Sequence, residues 1–271
     1  MKKQSWKQLR NILISPIWIG LALASPGPSD LAKDKGYELS AQSDRSDRGF
    51  GDSESELTMV LRNQAGKETT RTLLVRTLED PDETKGDKTL ILFKSPGDIE
   101  GTALLSHAKI LEPDDQWLYL PALKRVKRIS SVNKSGPFVG SEFAFEDITY
   151  LELNKYDYRY LRSEPCGDLV CDVIERFPRY EHSGYTRQIS WIDQEIHQMR
   201  KVEFYDRKDQ LLKTLLLEDY RQYNNVYWRP LSMSMVNHQT GKSTELHFSD
   251  YRFKTGLTDR DFVMTVLRGI R

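Results

Sequence analysis

The sequence predicts a mainly β protein: one domain built on a long antiparallel sheet that must curl or close on itself. Three observations carry that expectation. Apolar and polar residues alternate at period two through much of the chain beyond residue 53. Turn chemistry separates these stretches about a dozen residues apart, and no long apolar run at helical spacing follows the N-terminal segment. Strands spaced in this way are how all-β barrels and sandwiches read, and so long a sheet does not stay flat and open.

The first 24 residues form a separate object. Lys2, Lys3, Lys7 and Arg10 precede the apolar run Ile12 to Leu23, and Ala22-Leu23-Ala24 follows ahead of Ser25-Pro26. A basic start, a short apolar middle and an A-x-A site describe a secretory signal peptide cleaved near Ala24, so the mature chain is expected to be exported. A membrane anchor would need ~20 apolar residues, and this run is shorter and interrupted by Pro16. No transmembrane segment is therefore expected in the mature chain. Residues 25–52 are polar, with Leu31, Tyr37, Leu39 and Phe50 as the few apolar positions, and read as a lead-in of one or two short helical turns. The domain proper is expected to span 53–271.

Within that domain, Leu57, Met59 and Leu61 alternate with Glu56, Thr58 and Val60, a half-buried strand. A turn at Asn63 to Lys67, a second strand from Thr69 to Leu78, a turn around Pro81 to Asp87 and a third strand from Thr89 to Phe93 make an antiparallel meander. The second half repeats it. Strands are expected at Tyr156–Tyr160, Val170–Phe177, Tyr185–Trp191, Lys201–Tyr205, Leu211–Leu217, Leu231–Val236 and Thr244–Phe248. No linker breaks the series.

Hydrophobic residues make up 38% and charged residues 30%, which supplies a core and excludes a disordered chain. Lys+Arg and Asp+Glu both total 40, so no net field draws in nucleic acid. Cys166 and Cys171 flank a Gly-Asp turn. An oxidising compartment favours a bridge between them over two free thiols, provided the Cα atoms come within ~7 Å. Either way the pair is structural, since its spacing suits no zinc site.

The segment Gly101 to Leu153 departs from the meander. It holds Gly101-Thr102-Ala103-Leu104-Leu105, then Gln116-Trp117-Leu118-Tyr119-Leu120-Pro121-Ala122-Leu123-Lys124-Arg125-Val126-Lys127-Arg128-Ile129, then Phe138-Val139-Gly140-Ser141-Glu142-Phe143-Ala144-Phe145-Glu146-Asp147-Ile148. With the later Lys201-Val202-Glu203-Phe204-Tyr205-Asp206-Arg207-Lys208-Asp209-Gln210-Leu211-Leu212-Lys213-Thr214, these segments resemble, in order, the periplasmic outer-membrane lipoprotein-sorting proteins, related in fold to the carrier LolA. Four segments in register are far more specific than one motif. The resemblance implies an incompletely closed, strongly curved antiparallel barrel with short helices covering its open side, and an apolar cavity between them. It implies lipid or lipoprotein acyl chains as cargo, and transporters of the resistance–nodulation–division type as a recurrent partner. The leading expectation is thus a carrier working by binding and release. The alternative is an accessory module that docks on such a transporter and never carries cargo.

Nothing in the residues points to catalysis. The five histidines are scattered without ligand spacing, Ser141 lies outside a G-x-S-x-G elbow, and no glycine-rich phosphate loop occurs. No cofactor and no metal are expected. Glu146 and Asp147 read as a salt bridge or turn, because neighbours on an extended segment face opposite ways. The cavity wall is expected to draw on Trp117, Leu118, Tyr119, Leu120, Phe138, Phe143, Phe145, Met233 and Met235. Met and aromatic side chains suit a tolerant apolar pocket. Alternation lets only Leu118 and Leu120, or only Trp117 and Tyr119, face inward, and leaves open which. Lys124, Arg125, Lys127 and Arg128 read as a solvated strand edge, or as a surface for a partner or a lipid headgroup.

Overall fold

A computed structural model describes residues 28–269, apart from 83 and 150. The expected signal peptide and its cleavage point lie outside the described residues. Thirteen strands form a single antiparallel sheet: β1 (Asp52–Arg62), β2 (Glu68–Leu78), β3 (Lys88–Ser95), β4 (Ala103–His107), β5 (Asp115–Leu120), β6 (Arg125–Ile129), β7 (Tyr156–Cys166), β8 (Leu169–Pro178), β9 (Arg187–Asp193), β10 (Met199–Tyr205), β11 (Leu211–Tyr223), β12 (Tyr227–Asn237) and β13 (Ser243–Phe253). Every stretch that the period-two pattern marked is a strand.

The order across the sheet is β6-β5-β4-β3-β2-β1-β13-β12-β11-β10-β9-β8-β7. The chain starts at the centre, runs out to one edge at β6, and returns from the other edge at β7 until β13 pairs with β1. The sheet does not close into a barrel. Residues 130–155 must therefore cross from one free edge to the other, and they do so as a strap with short 3₁₀ turns at Ser131–Asn133, Phe138–Gly140, Phe145–Asp147 and Leu153–Lys155. The strap and the inner face enclose the main core. Leu57, Leu73, Phe93, Leu104, Val202, Phe204, Met235 and Leu246 of the sheet pack there with Phe138, Phe143 and Phe145 of the strap.

The outer face carries a second core. Leu90, Leu92, Ala103 and Leu105 are covered by Phe262 and by Leu267 of α2 (Met264–Gly269). A third small cluster on the outer face groups Cys171, Val173 and Trp191. There Cys166 and Cys171 form a disulfide, with Cα atoms 5.8 Å apart.

One expectation is corrected. The lead-in holds a single 18-residue helix, α1 (Pro28–Arg45), rather than one or two turns. Its sequence contains no β-branched residue, begins with Pro, and places Asp30 in the first turn and Arg45 in the last, where they complement the helix dipole. Its apolar residues are too few to produce a helical period, which hides it from pattern reading. Much of its support is tertiary. Tyr37 meets Tyr158 edge-on at 6.0 Å, and Lys35 lies 3.5 Å from the centre of the Tyr160 ring. Gly36 crosses β7 so closely that a Cβ there would sit 2.7 Å from the Tyr160 nitrogen. The β7 edge is thereby covered by a helix.

Candidate functional site: a cleft beneath the strap

The strap is held by buried polar anchors rather than by a regular ladder. From the β6 side, Arg71 donates to the Val139 carbonyl at 2.7 Å, and Gln116 Nε2 to the Phe145 carbonyl at 3.0 Å. From the other half, Asn237 Nδ2 donates to Glu142 Oε2 at 2.7 Å, and the Glu142 amide donates to Thr244 Oγ1 at 3.0 Å. The two adjacent acids Glu146 and Asp147, both in the 3₁₀ turn Phe145–Asp147, face different anchors. Glu146 accepts from Tyr180 Oη at 2.9 Å, Ser183 Oγ at 2.9 Å and the Gly184 amide at 2.8 Å. Burial, and then the Asp147 charge, push its carboxyl above the usual range. Asp147 accepts from Lys213 Nζ at 2.6 Å, Tyr185 Oη at 2.8 Å and the Ala144 amide at 2.6 Å. The paired acids are thus structural anchors of the strap.

Under the strap lies a cleft of about 250 Å³. Leu57, Val75, Ile91, Met233, Leu246 and Phe248 form its sheet wall, and Phe143 and Ile148 form its roof. A second cavity of about 240 Å³ opens between α1, the end of the strap and β7–β10, walled by Tyr158, Ile174, Ile192 and Met199 with Leu151 and Leu153. Asp47 and Thr149 border both spaces. The walls of both are mainly apolar with a few polar groups, as at small-molecule sites. Arg229 and Asp47 form an ion pair at the junction, and burial lowers the Arg229 pKa. In the second cavity, Ser190 Oγ is buried without a partner, so its wall offers an unused hydrogen-bonding atom.

The expected wall residues divide into three groups. Phe143 and Met233 line the cleft. Leu118, Leu120, Phe138, Phe145 and Met235 face inward too but belong to the packed core, where Phe138 is tilted against Phe93 at 5.8 Å and meets Phe145 edge-on at 5.7 Å. Trp117 and Tyr119 are corrected outright: they lie on the outer face, in the cluster with Phe262 and Leu267. Alternation along β5 sends them there because Leu118 and Leu120 take the inner face. Lys124, Arg125, Lys127 and Arg128 are exposed, on or just before the edge strand β6. Sequence reading missed Lys213 and Arg229, although a Lys within the apolar run of β11 was a legible signal for a buried pair.

Comparison with known proteins assigns this architecture. A family model described as an uncharacterized protein matches residues 85–269. A crystal structure of a domain assigned to outer-membrane lipoprotein sorting, from Vibrio parahaemolyticus, is 50% identical, with a TM-score of 0.85, covering 87% of this chain and 99% of that one. The chain belongs to the outer-membrane lipoprotein-sorting family. A DUF1329 family protein from Desulfovibrio piger is 30% identical, with a TM-score of 0.83, over 87% of this chain and 99% of that one. A LolA superfamily protein from Nitrosomonas europaea shares the fold, with a TM-score of 0.69 at 19% identity over 85% of this chain and 98% of its own. No curated protein matches the sequence. The half-open sheet expected from the family is thus a LolA-like fold, and among the described residues no helix is long and apolar enough to cross a membrane.

Proposed function

We propose that this family member is a periplasmic carrier that takes an acyl chain of a lipid or lipoprotein into the cleft beneath the strap and passes it between envelope components. The observation that carries this reading is the cleft itself. A sheet this well packed elsewhere leaves space under Phe143 and Ile148, and the walls of that space are mostly apolar. Protein interiors are ordinarily close-packed, so a mainly apolar cleft beneath the strap supports an apolar occupant. The relative assigned to outer-membrane lipoprotein sorting supports lipoprotein acyl chains as the class of cargo. Tolerant Met and Phe walls select by size and shape more than by polar contact.

Two measurements test it. Native mass spectrometry with lipid extraction, on protein purified from envelope fractions, should find an apolar molecule bound. An empty cleft with a stably co-purifying transporter would favour the docking-module alternative instead. A paired substitution tests the location. Phe138 lines neither cavity, so Phe138→Ala should cost ~3–5 kcal/mol by opening a closed void. Phe143→Ala only widens an existing space and should cost nearer the ~1.5–3 kcal/mol of side-chain burial. It should also weaken binding of a fluorescent fatty-acyl probe by about tenfold, the loss of ~1.4 kcal/mol. Unchanged probe affinity in Phe143→Ala would place the cargo elsewhere.

A further inference from the structure

The two edges of the sheet are treated differently. The β7 edge is covered by α1, while β6 is paired, among the described residues, with β5 and with no other strand. No backbone hydrogen bond from another element reaches β6 among the described residues. A bare edge presents a row of unused N–H and C=O groups, a template for a further strand. Here that row is flanked by cations. Lys124, Arg125 and Lys127 are exposed and have no carboxylate partner among the described residues, and Arg128 alone is paired, with Asp115.

The register fixes where these charges point. Lys127 lies opposite Leu118 and Arg125 opposite Leu120, so both project on the inner face of the sheet. Val126 and Arg128 lie opposite Tyr119 and Trp117 and project on the outer face, where Val126 packs against the cluster around Phe262. Beside the strand, Leu123 is 62% exposed at the tip of the β5–β6 turn. Like charges opposed across a strand pair are destabilising, and opposite charges are favourable. A second copy of this edge is therefore repelled, and a neutral strand gains nothing from the cations. A flat anionic membrane is a poorer match, because it offers no backbone partner to the open edge of β6.

We propose that β6 is a docking edge for an extended acidic segment of a partner protein, which adds to the sheet as a fourteenth strand. Backbone hydrogen bonds supply affinity in this mode, and alternate side chains supply specificity. The chemistry of β6 states what the segment must look like. Acidic residues stand at alternate positions to meet Arg125 and Lys127, with an apolar residue between them to meet Val126. The docking edge is separate from the cleft and does not depend on what the cleft holds.

The test uses the purified protein and two synthetic peptides of one composition. One alternates Glu and Val over seven residues, and the other groups its Glu residues at one end. Calorimetry should show the alternating peptide binding at least tenfold tighter, with affinity falling as salt rises. Hydrogen exchange should show new protection confined to the β6 amides. Arg125→Glu combined with Lys127→Glu should abolish that binding and restore it for a Lys-Val alternating peptide, with the melting temperature as the check on folding. Equal binding of the two peptides, or no protection at β6, overturns the proposal. So does a charge-reversal loss seen only with vesicles containing anionic phospholipid, which would make this edge a membrane surface.

Discussion

Replacing Lys213 by Met should unfasten the strap. Lys213 and Asp147 are 4% and 5% exposed at the side chain, and the ammonium also donates to the Glu142 carbonyl at 2.9 Å. Exposed ion pairs contribute only ~0–1 kcal/mol. This pair is buried, so removing the cation leaves a buried carboxylate with two donors remaining, Tyr185 Oη and the Ala144 amide. Breaking such a pair from one side costs roughly 3–5 kcal/mol. Domains are stable by only about 5–15 kcal/mol, so the loss is a large fraction of the total. Each kcal/mol moves the melting temperature of a chain this size by ~2–4 °C. The assay is urea denaturation of Lys213→Met, Asp147→Leu and the double variant, read as a cycle. The double variant should recover much of the single losses, because no unpaired charge remains in it. A Lys213→Met cost below ~1 kcal/mol, or a coupling energy near zero, would refute the view that a buried pair holds the strap.

Two further perturbations have defined outcomes. Glu152, buried on the last part of the strap, has its pKa pushed up to about 7, by burial first and then by the Asp87 charge. Asp87 itself is pushed up to about 6, chiefly by burial. Both folded-state values exceed the unfolded ones, so the folded protein holds protons that the unfolded chain releases. Stability should therefore fall as pH rises from ~4.5 through about 7, by up to ~3 kcal/mol for Glu152. Glu152→Gln should be more stable than the wild type at pH 8 and should flatten the profile of unfolding free energy against pH; an unchanged slope would count against this account. Cys166 and Cys171 close a short loop, five residues apart in sequence, and the bridge should contribute ~2 kcal/mol. The protein denatured without reductant should show no free thiol, and the Cys166→Ala/Cys171→Ala double variant should lose about that much stability in a denaturant titration.

What could be read from the sequence follows from which interactions leave a local trace. A half-buried strand repeats every two residues, so Leu57-Met59-Leu61 and Met233-Met235 announce both the element and the face without reference to any partner. The faces of β5 could not be ranked, because both are buried. Leu118 packs under the strap while Trp117 and Tyr119 meet a C-terminal segment more than 130 residues later, and alternation cannot say which cover belongs to which face. Helix α1 left no trace for a related reason, since few apolar side chains mark it and a glycine permits its close approach to β7. The cleft is harder still. Phe138, Phe143 and Phe145 lie within eight residues of one another, read alike and share one core, yet Phe143 alone also roofs the cleft. What separates them is the path of the strap, fixed by Asp147 on Lys213 and Glu146 on the Ser183-Gly184 loop. Those anchors join positions 37 to 66 residues apart, and each is a one-to-one pairing with no period. A fold of this kind thus writes its walls into the sequence as pattern, and the space between them only into the tertiary structure.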